Sequence, residues 1–257
     1  MIMNNRVLPL PAPALRRLIE GMPKTELHLH LDGSLRVDTA LDLARQRGLD
    51  LPHTYVGMFA ALVAPKKHGS QAGLLKAFDL PVLLMQDGEA LERVTRELVI
   101  SKAGDNVRYM EIRWAPALHT RKGLSLDEVI KAVCEGAKNG AQLTGTTVRL
   151  IAVAVRSHEP SLNVTVAESA LKYRDSGVVG FDLAGLEEQF PDPLLHKKAF
   201  EAARTGGLRL TVHAGEIPGQ SIWLRQALEL KPERIAHGVN ATEDNILIAT
   251  FLFILIK

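Results

Sequence analysis

Residues 25–34 read TELHLHLDGS, with His28 and His30 two positions apart and carboxylates at Glu26 and Asp32 on either side. On a strand, alternate residues share a face. Glu26, His28, His30 and Asp32 then lie on one side and Leu27, Leu29 and Leu31 on the other. The leucine face is expected to pack. The opposite face carries four ionisable groups, which are costly to bury unless they bind or pair with something. Two imidazoles at i and i+2 can reach one metal ion, and neutral imidazole suits zinc and similar divalent ions. A lone His-x-His also arises by chance, with both rings hydrogen-bonded or solvated, but the flanking acids and the apolar alternation favour the ligand reading.

Three further stretches carry chemistry. TVHAGE, 211–216, closes a strand on His213, turns at Gly215 and presents Glu216. That order suits a third metal ligand followed by a carboxylic acid that handles protons near neutral pH when it is poorly solvated. RIAHG, 234–238, puts His237 at another strand end, where it can serve as a base, as an electrostatic stabiliser or as a structural histidine. FDLAG, 181–185, ends in Gly185, which admits a flat ligand close to the backbone or simply forms a tight turn. His53, His68, His119, His158 and His196 fall in expected loops or helices and receive no catalytic role. Glu111 and Arg113 are expected to pair with each other inside the fold, and Trp114, Trp223 and Cys134 to pack.

The elements that must position these residues alternate along the chain. Strands are expected at Thr25–Leu31, Val107–Trp114, Val148–Val155, Val178–Leu183, Leu208–His213 and Arg234–His237. Helical periodicity fills Leu126–Leu143, Val164–Tyr173, Leu194–Arg204 and Ser221–Leu230, and residues 37–103 hold an inserted helical segment that includes Thr39–Arg47 and Glu89–Lys102. Strands alternating with helices imply parallel pairing. Polar residues at strand after strand, with no Gly-rich phosphate loop, favour a (β/α)8-type barrel over a doubly wound sheet. Such a barrel has eight strands, and six are expected here.

The bulk properties agree with a single barrel domain over 1–257 and exclude little else. Hydrophobic residues make up 46% and charged residues 23%, and the formal net charge of +2 gives no reason to invoke nucleic acid. One cysteine, Cys134, excludes an internal disulfide and a cysteine-rich zinc module and fits a cytoplasmic setting. The start of the chain lacks the apolar run of a signal peptide. Pro9, Pro11 and Pro13 suggest an extended lead-in before a short helix. The apolar tail at 246–257 is atypical yet too short for a membrane span, so no membrane partner is expected.

PKTELHLHLDGSL, VRYMEIRWAP, FDLAG, TVHAGE and ERIAHG, in that order and over residues 23–244, together resemble the adenosine deaminase family of zinc-dependent (β/α)8 amidohydrolases. The resemblance implies one zinc ion with His28, His30 and His213 as ligands. It makes Glu216 the acid that protonates the purine ring nitrogen next to the amino-bearing carbon, and His237 the histidine that orients or activates the attacking water. Asp32 and Gly185 match substrate-contacting positions, toward the ribose and the purine respectively, with His30 also near the substrate. The implied reaction is hydrolytic deamination of a 6-aminopurine nucleoside, adenosine to inosine plus ammonia, in purine salvage. Asp32 favours a nucleoside over free adenine, whose deaminases tend to carry Glu there. Adenine, modified adenine nucleotides and aminodeoxyfutalosine are alternative substrates.

The chain departs from the family in one respect. The family's next motif, Ser-x-Asn-Thr-Asp-Asp-Pro, supplies the remaining zinc ligand and is not found after Thr242-Glu-Asp244. The expectation is therefore a truncated or frame-disrupted barrel with exposed strand edges that favour association. Its activity would be impaired, or reduced to binding metal or nucleoside alone. Three histidines and water make a working zinc site in other enzymes. Asp244 is a conceivable substitute ligand, although its place after the sixth strand argues against it.

Overall fold

The computed structural model describes residues 13–64 and 69–255. Pro9, Pro11, His68 and the last two residues of the apolar tail lie outside the described residues. Six strands, β1 (Lys24–His30), β2 (Val107–Trp114), β3 (Thr147–Val155), β4 (Val178–Ala184), β5 (Arg209–Ala214) and β6 (Arg234–His237), form one parallel sheet in sequence order. The sheet curls into a nearly closed barrel, a TIM-type architecture with six strands among the described residues.

Alternation decides what faces where. On β2, Met110, Ile112 and Trp114 are fully buried against the helices, while Glu111 and Arg113 point into the barrel. On β4, Phe181 and Leu183 pack outward and Asp182 lies inward, fully buried. β1 keeps the pattern less well: Leu31 is buried, but Leu27 is 45% exposed. β1 is an edge of this sheet, so its outward face lacks the helix cover that the leucine pattern anticipates.

The helices are α1 (Pro13–Gly21), α2 (Val37–Gln46), α3 (Tyr55–Leu62), α4 (Gln71–Leu75), α5 (Asp79–Leu84), α6 (Gly88–Gly104), α7 (Leu126–Thr144), α8 (Pro160–Leu171), α9 (Lys197–Thr205), α10 (Ser221–Glu229) and α11 (Asn245–Leu255). Among the described residues, five of them, α2 to α6, lie between β1 and β2. α7 is fixed at both ends. Ser125 and Glu128 form a reciprocal cap at its start, and Gly145 takes the left-handed conformation at its end. α8 begins at Pro160, earlier than periodicity suggests, because proline suits the first turn, where its missing N–H costs nothing. α9 begins later than expected, after a 3-10 turn at Pro193–His196.

α6 and α7 pack at close range through glycine. A Cβ on Gly140 would come within 2.6 Å of Val99 Cβ. In α11, Leu247 is buried while Ile246 is 61% exposed. No helix among the described residues is long and apolar enough to cross a membrane.

Candidate active site

The polar residues gather at the C-terminal ends of the strands. His28 and His30 come from β1 and His213 from β5, and their Nε2 atoms form a triangle with sides of 3.0, 3.1 and 3.1 Å. A tetrahedral ion bonded at about 2.0–2.1 Å holds its nitrogens about 3.3–3.4 Å apart, so the triangle fits one small divalent cation to within a few tenths of an ångström. The alternative, mutual hydrogen bonding, fails on valence: each neutral Nε2 is either one donor or one acceptor, and three such atoms cannot all be satisfied by one another.

Charge state favours the same use. Burial, with Arg113, His213 and His237 nearby, lowers the His28 pKa from 6.5 to about 4. Burial and His213 lower that of His30 to about 3. Both rings are therefore neutral at pH 7, with lone pairs available. Behind the triangle, Asp182 Oδ2 lies 2.9 Å from His213 Nδ1, off the ideal N–H line, and accepts from Arg113 Nη1 at 2.8 Å. Burial alone would raise the Asp182 pKa, but His213 and Arg113 outweigh it and hold the carboxyl at about 2. Arg113 does not pair with Glu111 as the sequence suggested. Glu111 instead takes Arg234 and the Tyr109 hydroxyl near the other end of the barrel. Residues two apart on one strand lie along the barrel axis, whereas Arg113 can reach across to β4.

His237 stands beside the triangle, its ring centroid 5.0 Å from that of His28 and 5.2 Å from that of His213. Its partner in the sheet register is Ala214, an outward-facing position. A left-handed backbone, φ +71°, turns the imidazole back toward the site. His28, His213 and His237 also bring ring nitrogens within 4.8 Å of one another. The tighter His28–His30–His213 set is the better fit to a single ion. Glu216 follows the turn at Gly215, where φ is +78°, and its Oε1 lies 3.5 Å from His237 Nε2.

Asp32 and Gly185 belong to an adjoining cavity of about 260 Å³, which they line with His30, Phe78, Val153 and Arg121. Gly185 has φ +124°, a conformation open to glycine. Asp32 is buried, and its Oδ1 lies 2.9 Å from Nε2 of His119, whose Nδ1 faces the Met85 carbonyl at 2.8 Å. All the site residues anticipated from sequence thus occur in the central cluster or the cavity it adjoins.

Several residues of the site had no role in the sequence reading. His119, expected in a loop or helix without a catalytic role, ends a 3-10 turn and anchors Asp32. Glu187, two residues beyond FDLAG, is fully buried and accepts from the backbone N–H groups of Gly215 at 3.0 Å and Glu216 at 2.9 Å. Gln71, in α4, reaches Glu216 from the inserted segment. Asp182 was readable in principle, as an acid between two apolar residues at a strand end, whereas Gln71 carries no sequence signal. Asp244 is engaged elsewhere: it pairs with Arg225 and caps α11 through the Ile246 N–H.

The comparisons with known proteins agree with this geometry. The adenosine deaminase family model matches residues 23–252. An adenosine deaminase of Clostridium perfringens is 42% identical over 227 residues, covering 87% of this chain and 68% of its own length. An amidohydrolase from Burkholderia ambifaria, solved with bound Zn, superposes with a TM-score of 0.84 at 27% identity, over 96% of this chain and 67% of that one. An adenine deaminase from Arthrobacter aurescens gives a TM-score of 0.78 at 26% identity, over 89% and 68% of the two chains. The chain thus spans about two thirds of the length of these relatives. On the match to its family model and on its curated relative, this chain belongs to the adenosine deaminase family.

Proposed function

We propose that this chain carries out metal-dependent hydrolytic deamination of a 6-aminopurine nucleoside, adenosine to inosine and ammonia, with zinc held by His28, His30 and His213. The observation that carries the reading is the triangle of Nε2 atoms at 3.0–3.1 Å, with Glu216 and His237 at its flank. A Zn-bound structural relative and a donor set of three neutral imidazoles support zinc as the ion. When bound, the ion supplies Lewis acidity and a water nucleophile that is available at neutral pH.

The remaining work falls to the protein. Burial lowers the His237 pKa against the opposing pull of Glu216, and a neutral ring at this position can take the proton from the attacking water. Glu216 gives a proton to the ring nitrogen beside the amino-bearing carbon, which makes that carbon electrophilic. Water adds there as its proton passes to His237, the amino group takes up that proton and leaves as ammonia, and the hydroxyl left on the carbon returns its proton to Glu216 as the ring keeps the oxygen. Asp32, fixed by His119, and Gly185, with its open backbone, hold the sugar and base in the adjoining cavity. Asp32 favours a nucleoside over free adenine.

The test is zinc content and turnover on one purified sample. The expected result is about one zinc per chain together with conversion of adenosine to inosine and release of ammonia. Zinc at that stoichiometry without inosine would reduce the function to binding, and no zinc at all would overturn the metal-site assignment.

A further inference from the structure

We infer that Gln71 is a positioning residue for Glu216 and selects the carboxylate oxygen that handles the proton, an inference that rests on the proposed role of Glu216. Gln71 opens α4, a short helix in the segment between β1 and β2, so it reaches the site from a part of the chain remote from both β4 and β5. Its Nε2 donates to Glu216 Oε2 at 3.0 Å, and its Oε1 accepts from the Glu187 N–H at 2.8 Å. Glu187 Oε2 in turn accepts from the Glu216 N–H at 2.9 Å. Three residues from three separate segments of the chain thus close a ring of three hydrogen bonds.

The ring leaves no freedom in the amide. A carboxylate can only accept and a backbone N–H can only donate, so turning the Gln71 amide over would oppose like with like at both ends. Glu187 is itself fixed. It is fully buried, its Oε1 accepts from the Gly215 N–H at 3.0 Å, and Arg156 Nη2 stands 3.6 Å from that oxygen. Glu216 is therefore held at its backbone and at one carboxylate oxygen.

This arrangement has a chemical consequence. Oε2 is occupied by the Gln71 donor, while Oε1 faces His237 Nε2 at 3.5 Å. The proton that Glu216 carries is then placed on Oε1, the oxygen turned toward the histidine cluster. Gln71 is neither a member of the metal triangle nor a lining residue of the adjoining cavity, and its side chain bonds to Glu216 and to the Glu187 N–H, so its route to the chemistry runs through Glu216.

The experiment compares wild type with Gln71→Leu, which keeps bulk but no polar atoms, and Gln71→Glu, which keeps an acceptor for Glu187 but sets a second carboxylate against Glu216. We expect kcat for adenosine to fall about ten- to a hundredfold in both, with KM within about threefold of wild type. The alkaline limb of the pH–rate profile, the one a proton-donating carboxyl governs, is expected to move up, because the ionised carboxylate loses a donor or gains a like charge. In 15N-labelled protein the Gln71 side-chain amide resonances should shift on Glu216→Ala. The proposal is overturned by a kcat in Gln71→Leu within about twofold of wild type, or by an unmoved Gln71 amide. It is also overturned if losses in kcat are matched by losses in thermal stability and the pH profile is unchanged. If the wild type itself does not convert adenosine, the functional reading fails, and the amide resonance alone decides the placement of Gln71.

Discussion

Asp182 lies behind His213, its Oδ2 at 2.9 Å from the ring nitrogen that faces away from the other two histidines. The same oxygen takes Arg113 Nη1 at 2.8 Å, so one carboxylate orients the ring and neutralises a buried guanidinium. Asp182→Asn keeps the shape and removes the charge. We expect zinc affinity to fall about ten- to a hundredfold, the usual effect of losing an outer partner of a ligating histidine. Stability should drop by about 3–5 kcal/mol as Arg113 is left uncompensated. Zinc titration and urea denaturation measure the two effects separately, and an unchanged zinc affinity would remove Asp182 from the site.

The three histidines act as a set. Alanine at His28, His30 or His213 should each abolish stoichiometric zinc, whereas alanine at His237 should leave zinc bound and remove turnover. Metal analysis after dialysis, beside an adenosine assay, distinguishes these outcomes. Retention of zinc by the His30→Ala protein would point instead to the wider trio of His28, His213 and His237.

Acid should weaken the metal-free fold earlier than carboxylates alone would. In the unfolded chain His28 and His30 take up protons as the pH falls past 6.5, but in the fold they resist until about 4 and about 3. Across that window the unfolded state binds more protons. Stability is therefore complete above 6.5 and declines as the pH falls toward the folded values, by about 1.4 kcal/mol per pH unit for each ring. The urea midpoint of metal-free protein should be lower near pH 5 than near pH 7.5. Equal midpoints would mean that the rings are not buried as neutral groups.

The α6–α7 contact makes a separate test of the fold. A methyl group on Gly140 would meet the Val99 side chain well inside van der Waals distance. Gly140→Ala should therefore destabilise by about 1–3 kcal/mol through overpacking, despite alanine's better helix propensity. Thermal melting should show this loss with zinc binding intact, since both helices lie away from the cluster.

Local patterns made much of this architecture readable. β2 and β6 fall where alternation and polar strand ends place them, and the HLH, HAGE and HG stretches mark the strand ends that meet at the site. What could not be read depends on distance across the barrel. Arg113 pairs across the barrel with Asp182 of β4, 69 residues away, and not with Glu111 on its own strand. His119 meets Asp32 although 87 residues separate them. The exposure of Leu27 follows from β1 having a neighbour on one side only among the described strands, a property of the whole sheet that no short window contains.

The span between His28 and His213 has a kinetic side. Their ring nitrogens are 3.0 Å apart in space and 185 residues apart along the chain. Nothing local can bring them together, so the triangle forms only after the intervening strands have stacked in order and the sheet has curled. Contacts of such long separation form slowly, because the chain entropy lost in closing the loop precedes the gain. An ion in the triangle would therefore serve as a clasp between the first strand and the fifth. Its uptake during refolding should trail the formation of secondary structure, reporting the moment at which the curled sheet is complete.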